Sequence, residues 1–184
     1  MKRYKVYPED THYYFTTSTI LNHIPVFQKD CYFEIITGSM KHCQENKGLK
    51  IHGYVIMPTH LHMISSNEHK PSLEEIMRDF KHFTSTKIIE CLENENHSFF
   101  VELFRKAASV RYGNQTHKVW ENDYHPVALT SAGWFEQKLN YIHQNPVRKG
   151  FIERPEYWKY SSARNWFLDD HSIIQIQIPD MFLD

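Results

Sequence analysis

A proline between two apolar runs is the feature that most constrains the fold. Residues 50–57 read KIHGYVIM, residues 60–66 read HLHMISS, and Pro58 lies between them. Both runs favour β-strand, whereas a proline cannot donate the hydrogen bond that a central strand requires. The segment therefore predicts two antiparallel strands joined by a tight turn at residues 57–59.

Periodicity and capping residues predict the elements on both sides of this hairpin. Pro71 suits the start of a helix, Ser131 is a capping serine, and Pro126 moves the last strand toward a sheet edge. Residues 97–118 indicate a short helix and a loop. The predicted elements are strands over 11–19 and 118–129, and helices over 29–46, 71–96 and 131–144.

The order of these elements is strand, helix, strand, strand, helix, strand and an extra helix. This order predicts an α+β fold, a ferredoxin-like antiparallel sheet with helices packed on one face and an extra C-terminal helix. A chain of 184 residues, 41% of them hydrophobic, is long enough to bury one core. We expect a single domain over 1–184, with its core at about 11–166 and an acidic C-terminal tail at 167–184.

Charge and cysteine usage narrow the functional classes. The formal net charge is −1, so overall charge does not indicate nucleic acid, although residues 138–164 hold six basic and two acidic side chains. Three cysteines without a CxxC pair indicate reduced thiols in the cytoplasm. The first residues lack the apolar stretch of a signal peptide, and no apolar run reaches membrane-spanning length, so no membrane partner is expected.

Two histidines stand out in the second strand of the hairpin. His60 and His62 are separated by one residue, and alternate strand residues share a face, so both imidazoles point the same way. Two neutral imidazoles can hold a divalent ion and leave positions open. Because the chain has 13 histidines, this pair is also consistent with a chance occurrence on a solvent-exposed face of the strand. His52, on the preceding strand, is expected to be structural or exposed.

The predicted C-terminal helix offers further candidates. Tyr141 and Asn145 are four residues apart, which places them on one helix face. Tyr141 flanks the apolar face and also fits a tyrosine at the edge of the core. Asn145 precedes Pro146 and equally fits a residue at a helix end.

Taken together, these stretches resemble a known family. The segment YVIMPTHLHMI is similar to the HUH motif (His, hydrophobic, His) of single-tyrosine transposases. The segment YIHQNPVRKGFIERPEYWKYSSARNW resembles the C-terminal signature of the transposases associated with repetitive extragenic palindromes (REP), and LEEIMRDFKHFTS and VWENDYH lie where that family has its helix and last strand. The resemblance runs from about Tyr13 to Trp166. Thr59, where the family more often has Asn, and the acidic tail depart from the pattern.

The resemblance implies an enzyme that cleaves and joins single-stranded DNA beside hairpins. It implies that His60 and His62 bind a divalent metal, Mg²⁺ or Mn²⁺, that Asn145 completes the site, and that Tyr141 is the nucleophile. It further implies a 5′-phosphotyrosine intermediate and a free 3′-OH. Relatives differ in whether the tyrosine serves its own subunit or a partner, so a monomer and a homodimer both remain open.

The DNA contacts are predicted from charge. Basic residues neutralise phosphates, and the candidates are Arg148, Lys149, Arg154 and Arg164, with a second stretch at Arg105, Lys106 and Arg111. Trp158, Tyr160 and Trp166 could stack on bases, but packing against the sheet is the more common role of such aromatic residues.

Two other functions fit the sequence. One is a domesticated, non-cleaving protein that binds DNA hairpins, although all four positions named for catalysis are present. The other is a zinc site unrelated to DNA, in which His12 or His125 joins His60 and His62.

Overall fold

The predicted hairpin forms half of a four-stranded antiparallel sheet. The computed structural model describes residues 13–67, 70–108, 116–122, 124–179 and 182. Its strands are β1 (Tyr14–Thr19), β2 (Lys50–Met57), β3 (His60–Ser66) and β4 (Val127–Ala128). They lie in the order β2-β3-β1-β4, which is the ferredoxin-like order, so the predicted fold class is confirmed.

The helices begin where the sequence supplies caps. The helices are α1 (Asp30–Lys47), α2 (Leu73–Asn94), α3 (Ser98–Ala108), α4 (Ala132–His143), α5 (Asn145–Arg148) and α6 (Ala163–Leu168). The Ser72 hydroxyl accepts a hydrogen bond from the Glu75 amide, and the Glu75 carboxylate accepts one from the Ser72 amide, so a capping box starts α2. Ser131 accepts a hydrogen bond from the Trp134 amide at the start of α4.

The two faces of the sheet carry different helices. On β3, Leu61 and Met63 belong to the main core with α1, α2 and α3. The alternate residues His60, His62 and Ile64 point to the other face, where Ile64 packs in a smaller cluster that includes Phe135 and Ile142 of α4. The helix with the candidate tyrosine therefore covers the histidine side of the sheet, opposite α1 and α2.

Gly53 allows α4 to approach the sheet closely. It follows an irregularity in the β2–β3 register between Ile51 and Gly53. A Cβ atom at Gly53 would lie 2.6 Å from Cδ1 of Leu139 on α4, well inside van der Waals contact. A residue without a side chain therefore sets the distance between α4 and β2.

The C-terminal segment packs along the free edge of β2. Ile174 and Ile176 are buried in the main core, and the Gln177 amide donates to the Ile51 carbonyl at 2.8 Å. His52 is buried and structural, with Nδ1 2.7 Å from the Gln177 carbonyl oxygen. Part of the predicted acidic tail therefore contributes to the fold.

The predicted last strand differs most from the structure. Among the described residues of 118–129, the two residues of β4 are the ones that form a strand, and Trp120 makes an isolated bridge to Ile20. Pro126 cannot donate to a ladder, and the buried Trp120 indole donates to Thr84 Oγ1 at 3.0 Å, which binds this segment to α2 instead.

In the described part of the chain, no helix is long and apolar enough to cross a bilayer.

Candidate active site

The two histidine rings of β3 lie against each other under α4. The ring centroids of His60 and His62 are 4.6 Å apart. Nδ1 of His62 is 2.8 Å from Thr17 Oγ1 on β1, and Nδ1 of His60 is 2.8 Å from Thr59 Oγ1 in the turn. Within the described residues, no hydrogen bond reaches Nε2 of either ring, so the hydroxyl groups orient the rings and leave both Nε2 atoms available.

Burial keeps both rings neutral at pH 7. It is the main cause that lowers the pKa of His62 to about 3, with His60, Lys138 and Arg148 adding repulsion. Burial likewise lowers the pKa of His60 to about 4, with smaller contributions from His23 and Lys149. Neutral imidazoles retain the lone pair that a metal ion requires, so these rings suit metal binding without loss of a proton.

Tyr141 of α4 meets the histidine pair within the same chain. Its ring centroid is 5.2 Å from that of His62 and 6.0 Å from that of Phe15. The Tyr141 side chain remains accessible, since the residue is 38% exposed. The Arg148 guanidinium carbon lies 4.5 Å from the ring centroid and Lys138 Nζ lies 5.7 Å from it, so positive charge surrounds the phenol.

Asn145 lies one helical turn beyond Tyr141, as the first residue of α5. The residue is only 4% exposed. Its backbone carbonyl accepts a hydrogen bond from the Lys149 amide, but the side-chain amide has no hydrogen-bond partner among the described residues. The amide atoms are not among the fully buried polar atoms that lack a partner, so they keep some contact with solvent and can reach a ligand.

Two residues of this site were not identified from the sequence. Thr17 orients His62, and Lys138 lies over Phe15 and Tyr141. Lys138 is three residues before Tyr141, a helical spacing that could have indicated it. Thr17 depends on the β1–β3 register, which pairs it with His62 and has no sequence signal of its own.

The predicted cationic residues are divided between two regions. Arg148 and the exposed Lys149 lie beside the tyrosine helix, and Arg148 donates to the Tyr141 carbonyl at 2.9 Å. Arg105 and Lys106 form ion pairs with Glu102 on α3. The buried side of α3 belongs to the main core, on the face of the sheet opposite the histidine pair.

The remaining predicted cations are paired or lie outside the described residues. Arg154 binds Glu156 at 2.6 Å, and Arg164 binds Asp170 at 2.5 Å. These two charges are therefore partly offset within the fold. Arg111 lies outside the described residues.

The aromatic residues of the C-terminal signature pack against the protein. The Trp158 indole donates to the Ile56 carbonyl and the Trp166 indole donates to the His52 carbonyl. Tyr160 is buried and stacks on Phe33 with ring centroids 4.1 Å apart. Packing, rather than base stacking, is the role that these contacts indicate.

No third histidine, cysteine or carboxylate joins His60 and His62 in the described part of the chain. The group of such residues found there is Cys31, Cys91 and Glu95. His125 is described and is not part of a group with the pair, and His12 lies outside the described residues. A zinc site that adds His125 to the pair is therefore not supported, whereas the version with His12 stays a prediction.

Comparison with known proteins supports the fold. No family model and no curated protein matches the chain. A solved REP-associated tyrosine transposase, bound to a REP hairpin, matches with a TM-score of 0.62 and 16% identity over 97% of this chain and 100% of that chain. A Deinococcus radiodurans chain proposed to be a transposase matches with a TM-score of 0.46 and 15% identity over 77% of this chain and 95% of that chain. The chain thus has a REP-associated tyrosine transposase-like fold.

Proposed function

We propose that this protein is a metal-dependent single-stranded DNA endonuclease and strand transferase that acts next to DNA hairpins. The observation that carries the proposal is the 5.2 Å contact between the rings of Tyr141 and His62 within one chain. A nucleophile and a pair of metal ligands thereby share one partly open site. The REP hairpin bound by the structural neighbour supports a hairpin as the DNA partner.

His60, His62 and Asn145 are the residues that would hold a divalent ion. Two neutral imidazoles and a side-chain amide that still reaches solvent suit Mn²⁺, and they suit Mg²⁺ where water and phosphate oxygens complete the coordination. When bound, the ion supplies positive charge to the phosphate under attack. The orienting bonds from Thr17 and Thr59 keep the ligand nitrogens directed into the site.

Tyr141 is the proposed nucleophile. Its Oη attacks the phosphorus, the bond from phosphorus to the 3′-oxygen breaks, and a 5′-phosphotyrosine and a free 3′-OH result. The phenol loses its proton and the departing 3′-oxygen gains one, so the step is balanced. Arg148 and Lys138, beside the phenol ring, stabilise the negative charge that develops there. The covalent bond conserves the energy needed to rejoin the strand without ATP.

The DNA path is proposed from the cations. Arg148 lies 4.5 Å from the Tyr141 ring centroid and the exposed Lys149 follows it in the chain, and both would contact the phosphates flanking the cleaved bond. Arg154 extends this group, whereas Arg164 would first have to leave Asp170. Arg105, Lys106 and Arg111 form the proposed second contact region, for DNA beyond the cleavage site.

The whole chain is proposed to work as one domain in a reducing compartment such as the cytoplasm. The burial of Ile174 and Ile176 in the main core supports a single unit. Cys31, Cys43 and Cys91 are free thiols, which supports the compartment. The Tyr141–His62 contact within one chain supports a tyrosine that acts on its own subunit's site, in a monomer or in each half of a homodimer.

Covalent attachment to DNA tests the nucleophile. The Tyr141→Phe variant should form no detergent-resistant adduct with a hairpin-flanked single-stranded oligonucleotide in Mn²⁺, because phenylalanine lacks the attacking oxygen. Hairpin affinity should stay within about twofold, because the ring that packs on Phe15 remains.

Tyr157→Phe is the matched control, because Tyr157 is also exposed and lies outside the site. It should form the adduct at the wild-type yield. Full adduct from Tyr141→Phe would refute the assignment. Hairpin binding without cleavage by the wild-type protein would instead support the non-cleaving alternative.

A further inference from the structure

Two cysteines and a glutamate converge at the ends of α1 and α2. Cys31 lies in the first turn of α1, Cys91 in the last turn of α2, and Glu95 is the C-cap of α2. The two Sγ atoms are 3.5 Å apart, and the three candidate ligand atoms lie within 4.8 Å of one another. All three residues are half-buried, so the cluster is shielded and still reachable from solvent.

The spacing of the sulfurs fits a shared metal ion. Two thiolates on a tetrahedral Zn²⁺, with Zn–S bonds of about 2.3 Å, lie about 3.8 Å apart. A disulfide requires about 2.05 Å between the sulfurs. The observed 3.5 Å is much nearer the first value, so small side-chain rotations would admit the ion.

Neighbouring side chains hold the glutamate in place beside the thiols. Lys29 Nζ is 2.7 Å from Oε1 of Glu95, and the Tyr32 hydroxyl donates to Oε2 at 2.8 Å. These bonds lower the pKa of Glu95 and keep it a carboxylate. His97 Nε2 is 3.3 Å from Oε2 of Glu95, so this exposed ring lies beside the cluster, although it is outside the group of three mutually close ligands.

We propose that Cys31, Cys91 and Glu95 form a binding site for a thiophilic divalent cation such as Zn²⁺, with His97 or a water as the fourth ligand. The two thiols release their protons to solvent as the two sulfur–metal bonds form. The site belongs to the α1–α2 layer, on the opposite side of the sheet from His60 and His62. Thiolates select a softer ion than the imidazole and amide site does, so the two sites would hold different metals.

Cobalt absorption separates this site from the histidine pair. Reduced protein titrated with Co²⁺ should develop a thiolate-to-metal charge-transfer band at one equivalent. The band should vanish in Cys31→Ser and Cys91→Ser. It should persist in Cys43→Ser, whose thiol is buried outside the cluster, and in the His60→Gln/His62→Gln double variant.

Further outcomes would overturn the site independently of the DNA chemistry. Absence of the band in reduced wild-type protein would do so, as would a band that is lost with His60 and His62. Loss of two thiols to a disulfide, with no band after reduction, would also refute it. If the serine variants do not fold, Glu95→Gln keeps both thiols and the side-chain size, and it should weaken Co²⁺ binding at least tenfold. An unchanged affinity would exclude Glu95 as a ligand.

Discussion

At the scale of single residues, hydroxyl groups determine how the histidines are presented. The Nδ1 atoms of His60 and His62 each lie 2.8 Å from a threonine hydroxyl. An alternating His-x-His pair already predicts that both rings share a face, because strand geometry requires it. It does not predict which atom of each ring is free, because the partners come from another strand and from the turn.

Removing the Thr17 hydroxyl should weaken metal binding. In Thr17→Val the His62 ring loses its orienting bond, and such partners are typically worth about 10- to 100-fold in metal affinity. We expect at least a tenfold weaker Mn²⁺ affinity by calorimetry. Thr19→Val is the matched control on the same face of β1, and it should bind as the wild type does. Equal affinities for both variants would contradict this role of Thr17.

His143 should make stability depend on pH. Burial lowers its pKa to about 4, and its Nε2 lies 2.9 Å from Ser162 Oγ. Between about pH 6.5 and pH 4 the unfolded chain binds a proton that the native ring does not. The free energy of unfolding should therefore fall as the pH is lowered through this range, by up to roughly 3 kcal/mol from this residue.

Urea denaturation of His143→Gln at several pH values tests this dependence. The variant should be less stable at pH 7 but should lose less stability on acidification, because it lacks the buried imidazole of His143. His60 and His62 would account for the pH dependence of unfolding that remains. If the free energy of unfolding depends on pH equally in the variant and the wild type, His143 is not the cause of this pH dependence.

At the scale of elements, the sequence predicted best where local chemistry decides the structure. Pro58 ends β2 and lies in the turn of the hairpin, so β2 and β3 have the predicted bounds. Ser131 caps the start of α4 as predicted, whereas the start of α2 was assigned to Pro71 and is capped by the next residue, Ser72. The last strand was predicted too long because the burial of Trp120 against α2 is a tertiary effect. The face covered by α4 also depends on packing, so periodicity did not predict it, and only the resemblance that joins Tyr141 to the histidines implied it.

Gly53→Ala should disturb the packing of α4 against β2. The added Cβ would lie 2.6 Å from Cδ1 of Leu139, and such overpacking typically costs about 1–3 kcal/mol. In the Gly53→Ala/Leu139→Ala double variant the space is restored, so the two losses should be less than additive.

The matched control is Gly133→Ala on α4, where an added Cβ meets nothing within 4 Å. It should unfold at the wild-type urea concentration or above it. Strict additivity in the double variant would show that Gly53 is not required for the close approach.

At the scale of the whole molecule, the C-terminal segment completes the fold. Residues 172–179 read SIIQIQIP, and the alternation of Ile174, Ile176 and Ile178 was an unused signal for an extended segment against the sheet. The four aspartates of the predicted acidic tail lie outside this stretch, and the core was predicted to end at about residue 166. The side chains of Ile174 and Ile176 turn inward, while Ile178 is exposed.

Truncation of one isoleucine should show that this segment is part of the core. Ile174 is 0% exposed, so Ile174→Ala should lower the free energy of unfolding by about 2–5 kcal/mol. Ile178, at 40% exposed, provides the control, and Ile178→Ala should change it by less than about 0.5 kcal/mol. If chemical denaturation shows that Ile174→Ala changes the free energy of unfolding as little as Ile178→Ala does, the segment adds little to stability.

The contact between Tyr141 and His62 within one polypeptide also bears on how the protein would work in a cell. Groups carried by a single fold have an effective concentration that their geometry sets, whatever the abundance of the protein. A few copies per cell would therefore suffice for each cut. Scarcity would limit how often a hairpin is found, and leave the speed of cleavage after binding unchanged.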